Sequence, residues 1–172
     1  MASSYVWAVS PRSTSQLPRH STAWTSSNPK LALLQQQARY WWKIERSKFR
    51  VVTSQLVLDE ASIGDPIAAA ARLAMLHDID LIPTDSRIEV IADGLISRSL
   101  MPAKARLDAF HVATATVGGL QFLLTQNCRH IANGHTLPRV YKALEELGFP
   151  NLLIYTPAVF LEDDENDTES NT

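Results

Sequence analysis

Ala103–Asn133, AKARLDAFHVATATVGGLQFLLTQNCRHIAN, is the stretch whose reading decides the fold class. Its apolar residues Leu107, Phe110, Ala113, Ala115 and Val117 recur at roughly helical spacing. Pro102 suits the first turn of such a helix, where the N–H it lacks would have no partner anyway. Gly118-Gly119 ends it, because glycine accepts the left-handed conformation of a C-cap cheaply. Phe122-Leu123-Leu124-Thr125 is short, apolar and flanked by polar residues, as a fully covered strand would be. Asp108 lies early on the helix, and Gln126-Asn127 follow the strand directly. Ligands of open α/β sheets bind just beyond the carboxyl ends of the strands. One acid and one amide are therefore candidates for a common site.

Working outward, the pattern alternates. Leu31–Ile44 is helical in spacing, with Leu34, Ala38 and Trp41 on one face; the Trp41-Trp42 pair serves either an interface or the core. Phe49–Ser54 is a short strand, and Ser54 resembles the N-cap of a helix closing near Gly64. Asp65-Pro66 opens another helix by an Asx-then-Pro start, carrying the alanine run Ala68–Ala71. Asp80–Pro83 is a brief strand, with Thr84 or Asp85 capping the helix that follows. Leu137–Leu147 is a helix ended by Gly148, and Leu152–Thr156 a last strand. Strands alternating with helices predict an α/β fold, a central parallel sheet covered on both faces.

The 172 residues, 45% of them hydrophobic and 20% charged, suffice for one domain with a substantial core. No apolar run reaches the roughly eighteen residues of a membrane span. The single cysteine, Cys128, leaves no internal disulfide and suits a reducing compartment, so the expected location is cytoplasmic. The net charge of −2 hides an asymmetry: setting aside the six acids between Glu162 and Glu169 leaves 12 acids against 16 Lys and Arg. The body is mildly basic, compatible with a polyanionic substrate, and residues 162–172 read as an acidic disordered tail. The N-terminal 30 residues are rich in Ser, Thr, Pro and Arg, with no acid before Glu45. Organelle transit peptides share that composition, but Pro11, Pro18 and Pro29 would interrupt their amphipathic helix.

Among groups that carry chemistry, Glu60 sits late on the helix after Phe49–Ser54, where a carboxylate is most often simply solvated. Asp108 is flanked by Leu107, Ala109 and Phe110, which predicts partial burial, and a buried carboxylate needs a partner or a metal. His111, three residues on, shares a face with Asp108 and reads as a supporting or core histidine rather than a metal ligand. Two or three carboxylates with an amide nearby are the oxygen donors that Mg²⁺ or Mn²⁺ prefers. Cys128, His130 and His135 lack the second cysteine pair of a zinc site. The absence of a Walker loop, G-x-G-x-x-G, H-E-x-x-H and G-x-S-x-G disfavours other small α/β phosphotransfer and hydrolase enzymes.

VTSQLVLDEASIGDP, then MPAKARLDAFHVATATVGGLQFLLTQNCRHIAN, then LLIYTP, in that order, resemble the PIN-domain proteins, most of all the VapC-like toxin branch with its LLTxNCxHIAN segment. The resemblance covers residues 23–161 and implies a three-layer α/β/α sandwich with a central parallel sheet. It implies a metal-dependent endoribonuclease of a toxin–antitoxin pair, using Mg²⁺ or Mn²⁺ to hydrolyse RNA phosphodiesters, with a cognate antitoxin as partner and a homodimer as its assembly. Glu60 matches the acid after the second strand, Asp108 the acid of the central helix, and Asn127 the polar position after the following strand. Glu60 and Asp108 would hold the metal, and all three would be catalytic.

The chain departs from that family at its start. The first strand should end in an acid, yet residues 1–22 are divergent, expected to be poorly ordered, and without a carboxylate. Tyr5–Val9 is strand-like but supplies none. Fewer charged ligands should weaken a hard cation's binding, so the activity is expected to be impaired; the alternative is a catalytically silent PIN-fold module that binds an antitoxin or RNA. A frame difference is one hypothesis for the anomaly. Arg12–Pro18 can be encoded by CGA-AGC-ACC-TCC-CAG-CTA-CCT (our codon choice), which one base later reads Glu-Ala-Pro-Pro-Ser-Tyr. The gene's nucleotide sequence tests this: no acid in any shifted frame disposes of it.

Overall fold

The computed structural model describes residues 6–11 and 29–160. The expectations for the remainder of residues 1–22 and for 162–172 lie outside the described residues. The elements run β1 (Val6–Pro11), α1 (Pro29–Lys43), β2 (Phe49–Thr53), α2 (Gln55–Ser62), α3 (Pro66–Leu76), β3 (Asp80–Leu81) and α4 (Arg87–Ser97). They continue with α5 (Arg106–Val117), β4 (Phe122–Thr125), α6 (Leu137–Glu146) and β5 (Leu153–Tyr155). The fold is mixed α/β.

Local chemistry starts and stops these elements much as the sequence predicts. Ser54 Oγ accepts the Val57 N–H at 3.3 Å to open α2, and Asp65 Oδ1 accepts the Ala68 N–H at 2.9 Å to open α3. Asp85 Oδ1 takes the Arg87 N–H at 2.8 Å at the start of α4. Gly119 (φ +67°) and Gly148 (φ +88°) supply the left-handed turns after α5 and α6. Pro102 differs from expectation: it has extended backbone (ψ 145°) and precedes a 3-10 turn, Ala103–Ala105, so α5 begins only at Arg106.

The sheet order is β3-β2-β1-β4-β5. β2 and β3 are parallel, as are β4 and β5, but β1 is antiparallel to both of its neighbours. The expectation of a wholly parallel sheet is therefore corrected at its central strand. The reason is one of pairing: any extended segment can satisfy the facing N–H and C=O groups of β2 and β4, in either direction. Ala8 pairs with Val52 on one side and Leu123 on the other, and Val9 with Val51 and Phe122.

Successive residues of a strand face opposite sides, and paired residues share a side. Val51 and Phe122 therefore face one way, Val52 and Leu123 the other. On the Phe122 side, Phe49 meets Phe122 and Phe160 edge-on, with centroids 6.0 and 5.5 Å apart, and Trp41 of α1 stacks on Phe49 at 6.0 Å. Trp41 is thus core. On the other side, Leu123 lies beneath His111, Thr114 and Ala115 of α5. Helix α5 also packs along α4, so every residue from His111 to Thr116 is buried. A helix covered all round reads as only weakly amphipathic, and Ala109, Ala113 and Ala115 permit the close approach. Tyr141 ties α6 to β5: its hydroxyl accepts the Ile154 N–H at 2.9 Å and donates to the Ile154 carbonyl at 3.3 Å, while burial pushes its phenol pKa up.

Candidate functional site

The carboxyl ends of β2 and β4 open on the same edge of the sheet, since β1 between them opposes both. Glu60 approaches this edge from α2. Its Oε1 lies 3.1 Å from His111 Nε2, with the Glu60 side chain 30% exposed and that of His111 2% exposed. An ionised carboxylate is acceptor-only, so Nε2 carries the hydrogen and donates it. The partner of His111 is therefore Glu60, 51 residues away in sequence, rather than Asp108 one turn earlier.

His111 Nδ1 is buried without a hydrogen-bond partner. His111 lines a cavity of ≈ 10 Å³ together with Thr53, Ser54 and Thr114. The rest of its lining is apolar, Val57, Ile82, Ala115 and Leu123, and its size is about what one water requires.

Asp108 is half-buried in the first turn of α5, and its side chain makes no hydrogen bond or ion pair among the described residues. Asn127 follows β4, but its side chain is occupied: Oδ1 accepts the His130 N–H at 3.1 Å. Its carbonyl takes the Ile131 and Ala132 N–H groups at 3.1 and 2.9 Å. An asparagine used this way shapes the loop. No hydrogen bond joins Glu60, Asp108 and Asn127 to one another.

A divalent cation with hard-oxygen preference needs several converging carboxylates. Among the described residues no group of three or more His, Cys, Asp or Glu side chains is placed to hold a metal. Glu60 is turned to His111, and Asn127 Oδ1 to its own loop. The carboxyl end of β1, Pro11, pairs with Phe49 at the start of β2, so it lies at the edge of the sheet opposite the carboxyl ends of β2 and β4.

Two features of the edge escaped the sequence reading. The Glu60–His111 pair is non-local, and no spacing rule reports it. Arg129 and His130 lie adjacent inside the LLTQNCRHIAN segment, a pairing legible in the sequence itself. Cys128 is exposed and unpaired. No helix among the described residues is long and apolar enough to cross a membrane. Comparison with protein-family models, with curated proteins and with solved structures returns no match.

Proposed function

We propose that the chain is a PIN-type relative of the VapC-like toxins: a three-layer α/β/α sandwich, cytoplasmic, directed at RNA, and derived from a Mg²⁺- or Mn²⁺-dependent endoribonuclease whose cutting is impaired. The observation that carries this reading is the gathering of Glu60 and the Asp108-bearing helix at the edge where the carboxyl ends of β2 and β4 emerge, next to the loop that Asn127 opens. Glu60 and Asp108 are the proposed metal-binding residues, and Asn127 completes the proposed catalytic group. RNA and a cognate antitoxin are the proposed partners, with a homodimer as the assembly.

A second reading is favoured by a specific observation. Glu60 is paired with His111 and no three-donor group exists among the described residues, which fits a catalytically silent module binding an antitoxin or RNA. Cleavage of a mixed structured RNA by the purified chain separates the two, run with Mn²⁺, with EDTA and with Asp108→Asn. Metal-dependent cutting lost in Asp108→Asn is the outcome for the nuclease. Cutting no greater than that of the variant, together with no Mn²⁺ uptake by calorimetry, is the outcome for the silent module.

A further inference from the structure

A groove of ≈ 480 Å³ lies between two segments that each lead into this edge. One wall runs from the end of α4 through Leu100, Met101 and Pro102 towards α5 and Asp108; the other is the loop that follows Asn127, with Arg129 and His130. The volume is in the range of small-ligand sites, roughly 300–1,000 Å³. Leu100 and Met101, 5% and 1% exposed, make the floor beneath the groove, and the exposed Pro102 and half-buried Ile96 supply the apolar surface that faces it. The chain is turned onto that floor at Ser99, the one described non-glycine residue with a left-handed backbone (φ 54°), which ends α4 through the Leu100 N–H to Leu95 carbonyl bond of 3.0 Å.

The facing loop is held by its own hydrogen bonds. Besides those to Asn127, the Arg129 carbonyl accepts from Asn133 Nδ2 at 3.0 Å, and Asn133 Oδ1 from the His135 N–H at 3.0 Å. Main-chain groups are thereby satisfied within the loop, while the Arg129 guanidinium and His130 imidazole have no hydrogen bond or ion pair among the described residues. Among the described residues no Asp or Glu lines the groove. The result is a preset loop carrying the Arg129 cation opposite an apolar wall. A guanidinium presents a planar fork of donors that matches phosphate oxygens, and a preset loop loses little entropy on binding.

We infer that this groove holds one nucleotide of single-stranded RNA, its base against the Leu100–Pro102 wall and its phosphate on Arg129. The inference rests on the RNA reading above and assigns that reading a substrate-positioning site between the α4–α5 connection and the loop after β4. An acidic peptide would match the Arg129 cation but leave the apolar surface of Pro102 and Ile96 without a flat partner.

The test is amide NMR of the full chain titrated with 5′-AMP, with inorganic phosphate and an oligo-glutamate peptide as comparators. AMP should shift the amides of Ser99–Ala103 and Arg129–Asn133, phosphate only the second group, and Arg129→Gln should weaken AMP by about tenfold, the effect of losing one charge-assisted contact. Arg129 is exposed, so the variant keeps its spectrum outside the groove. AMP shifts that miss both walls, or an unchanged affinity in Arg129→Gln, overturn the inference. Peptide shifts without AMP shifts overturn it in favour of a protein partner. Because a mononucleotide is read without cleavage, AMP binding by a chain that neither cuts nor binds RNA keeps the groove and overturns only its RNA assignment.

Discussion

The flanks of the sheet and its central strand are specified by different kinds of information. Each flank is a parallel pair, β2 with β3 and β4 with β5, joined through helices whose starts are written locally: Ser54 for α2, Asp65 for α3, Pro138 in the first turn of α6. A parallel connection requires a crossover, and the crossover helices are legible, so the flanks are too. The central strand is antiparallel to both of its neighbours. It pairs with both through main-chain groups, and its direction follows from whichever register fills the gap. The lesson is functional, because a strand's direction decides which edge receives the residue that follows it. Reversal of β1 sends Pro11 to the edge away from Glu60.

The comparison breaks most severely at Ala8, which pairs with Val52 and Leu123 at once. Proline there removes a ladder donor from the middle of the sheet, a position proline does not tolerate. If β1 is integral to the sheet, Ala8→Pro abolishes cooperative thermal unfolding. If the flanks stand alone, the transition survives with little change. Next in size is Leu123→Ala. Leu123 is fully buried under α5, and truncation of such a leucine costs about 2–5 kcal/mol in urea unfolding. A loss well below that range would mean that α5 is not seated on β4 as described.

Much of the architecture was readable because it depends on neighbours in sequence: caps, glycine stops, and apolar runs of four or five residues. Leu107 illustrates where this fails. Helical spacing places it with the buried residues, yet it is 56% exposed, while His111, Thr114 and Thr116, polar by composition, are buried between α4 and the sheet. A helix covered on several sides carries no stripe to read. The site divides the same way. The half-burial of Asp108 is legible from its apolar neighbours and the place of Asn127 from the strand before it, but the engagement of Glu60 by His111 depends on the fold bringing α2 and α5 together.

That non-local pair gives the next sharpening. Glu60→Ala leaves the Nε2–H of His111 buried and unpaired, a loss of about 1–3 kcal/mol. Adding His111→Leu should recover part of it, since the orphaned donor is then gone. Equal destabilisation by the single and double variants would show that the contact contributes nothing beyond packing. Smaller again is Gly119→Ala, at φ +67° with open space around the added Cβ. Only backbone strain opposes it, about 1–2 kcal/mol for a left-handed alanine, and a neutral result would mean the turn after α5 relaxes freely.

The smallest effect tests the local end of the comparison through pH. Asp85 accepts the Arg87 N–H with Oδ1 at 2.8 Å, and its two oxygens meet the guanidinium of the same residue at 3.0 and 2.7 Å. The side-chain bond to Arg87 comes first, then the backbone bond, in lowering the Asp85 pKa from 3.8 to about 2. A carboxyl depressed in the folded state binds its proton more weakly there than in the unfolded chain. Its contribution is therefore full above the unfolded value, and it is lost as pH falls from about 4 through about 2. Asp85→Asn keeps an oxygen for the Arg87 N–H but has no charge to titrate, so its stability should lose that part of the slope and match the parent most closely at the acid end. The pair is solvent-exposed, so the difference should also shrink in high salt. Were the slope between pH 4 and 2 the same in both chains, the start of α4 would owe its definition to packing by Ile88 and Ile91, and even this locally legible boundary would be set by the core.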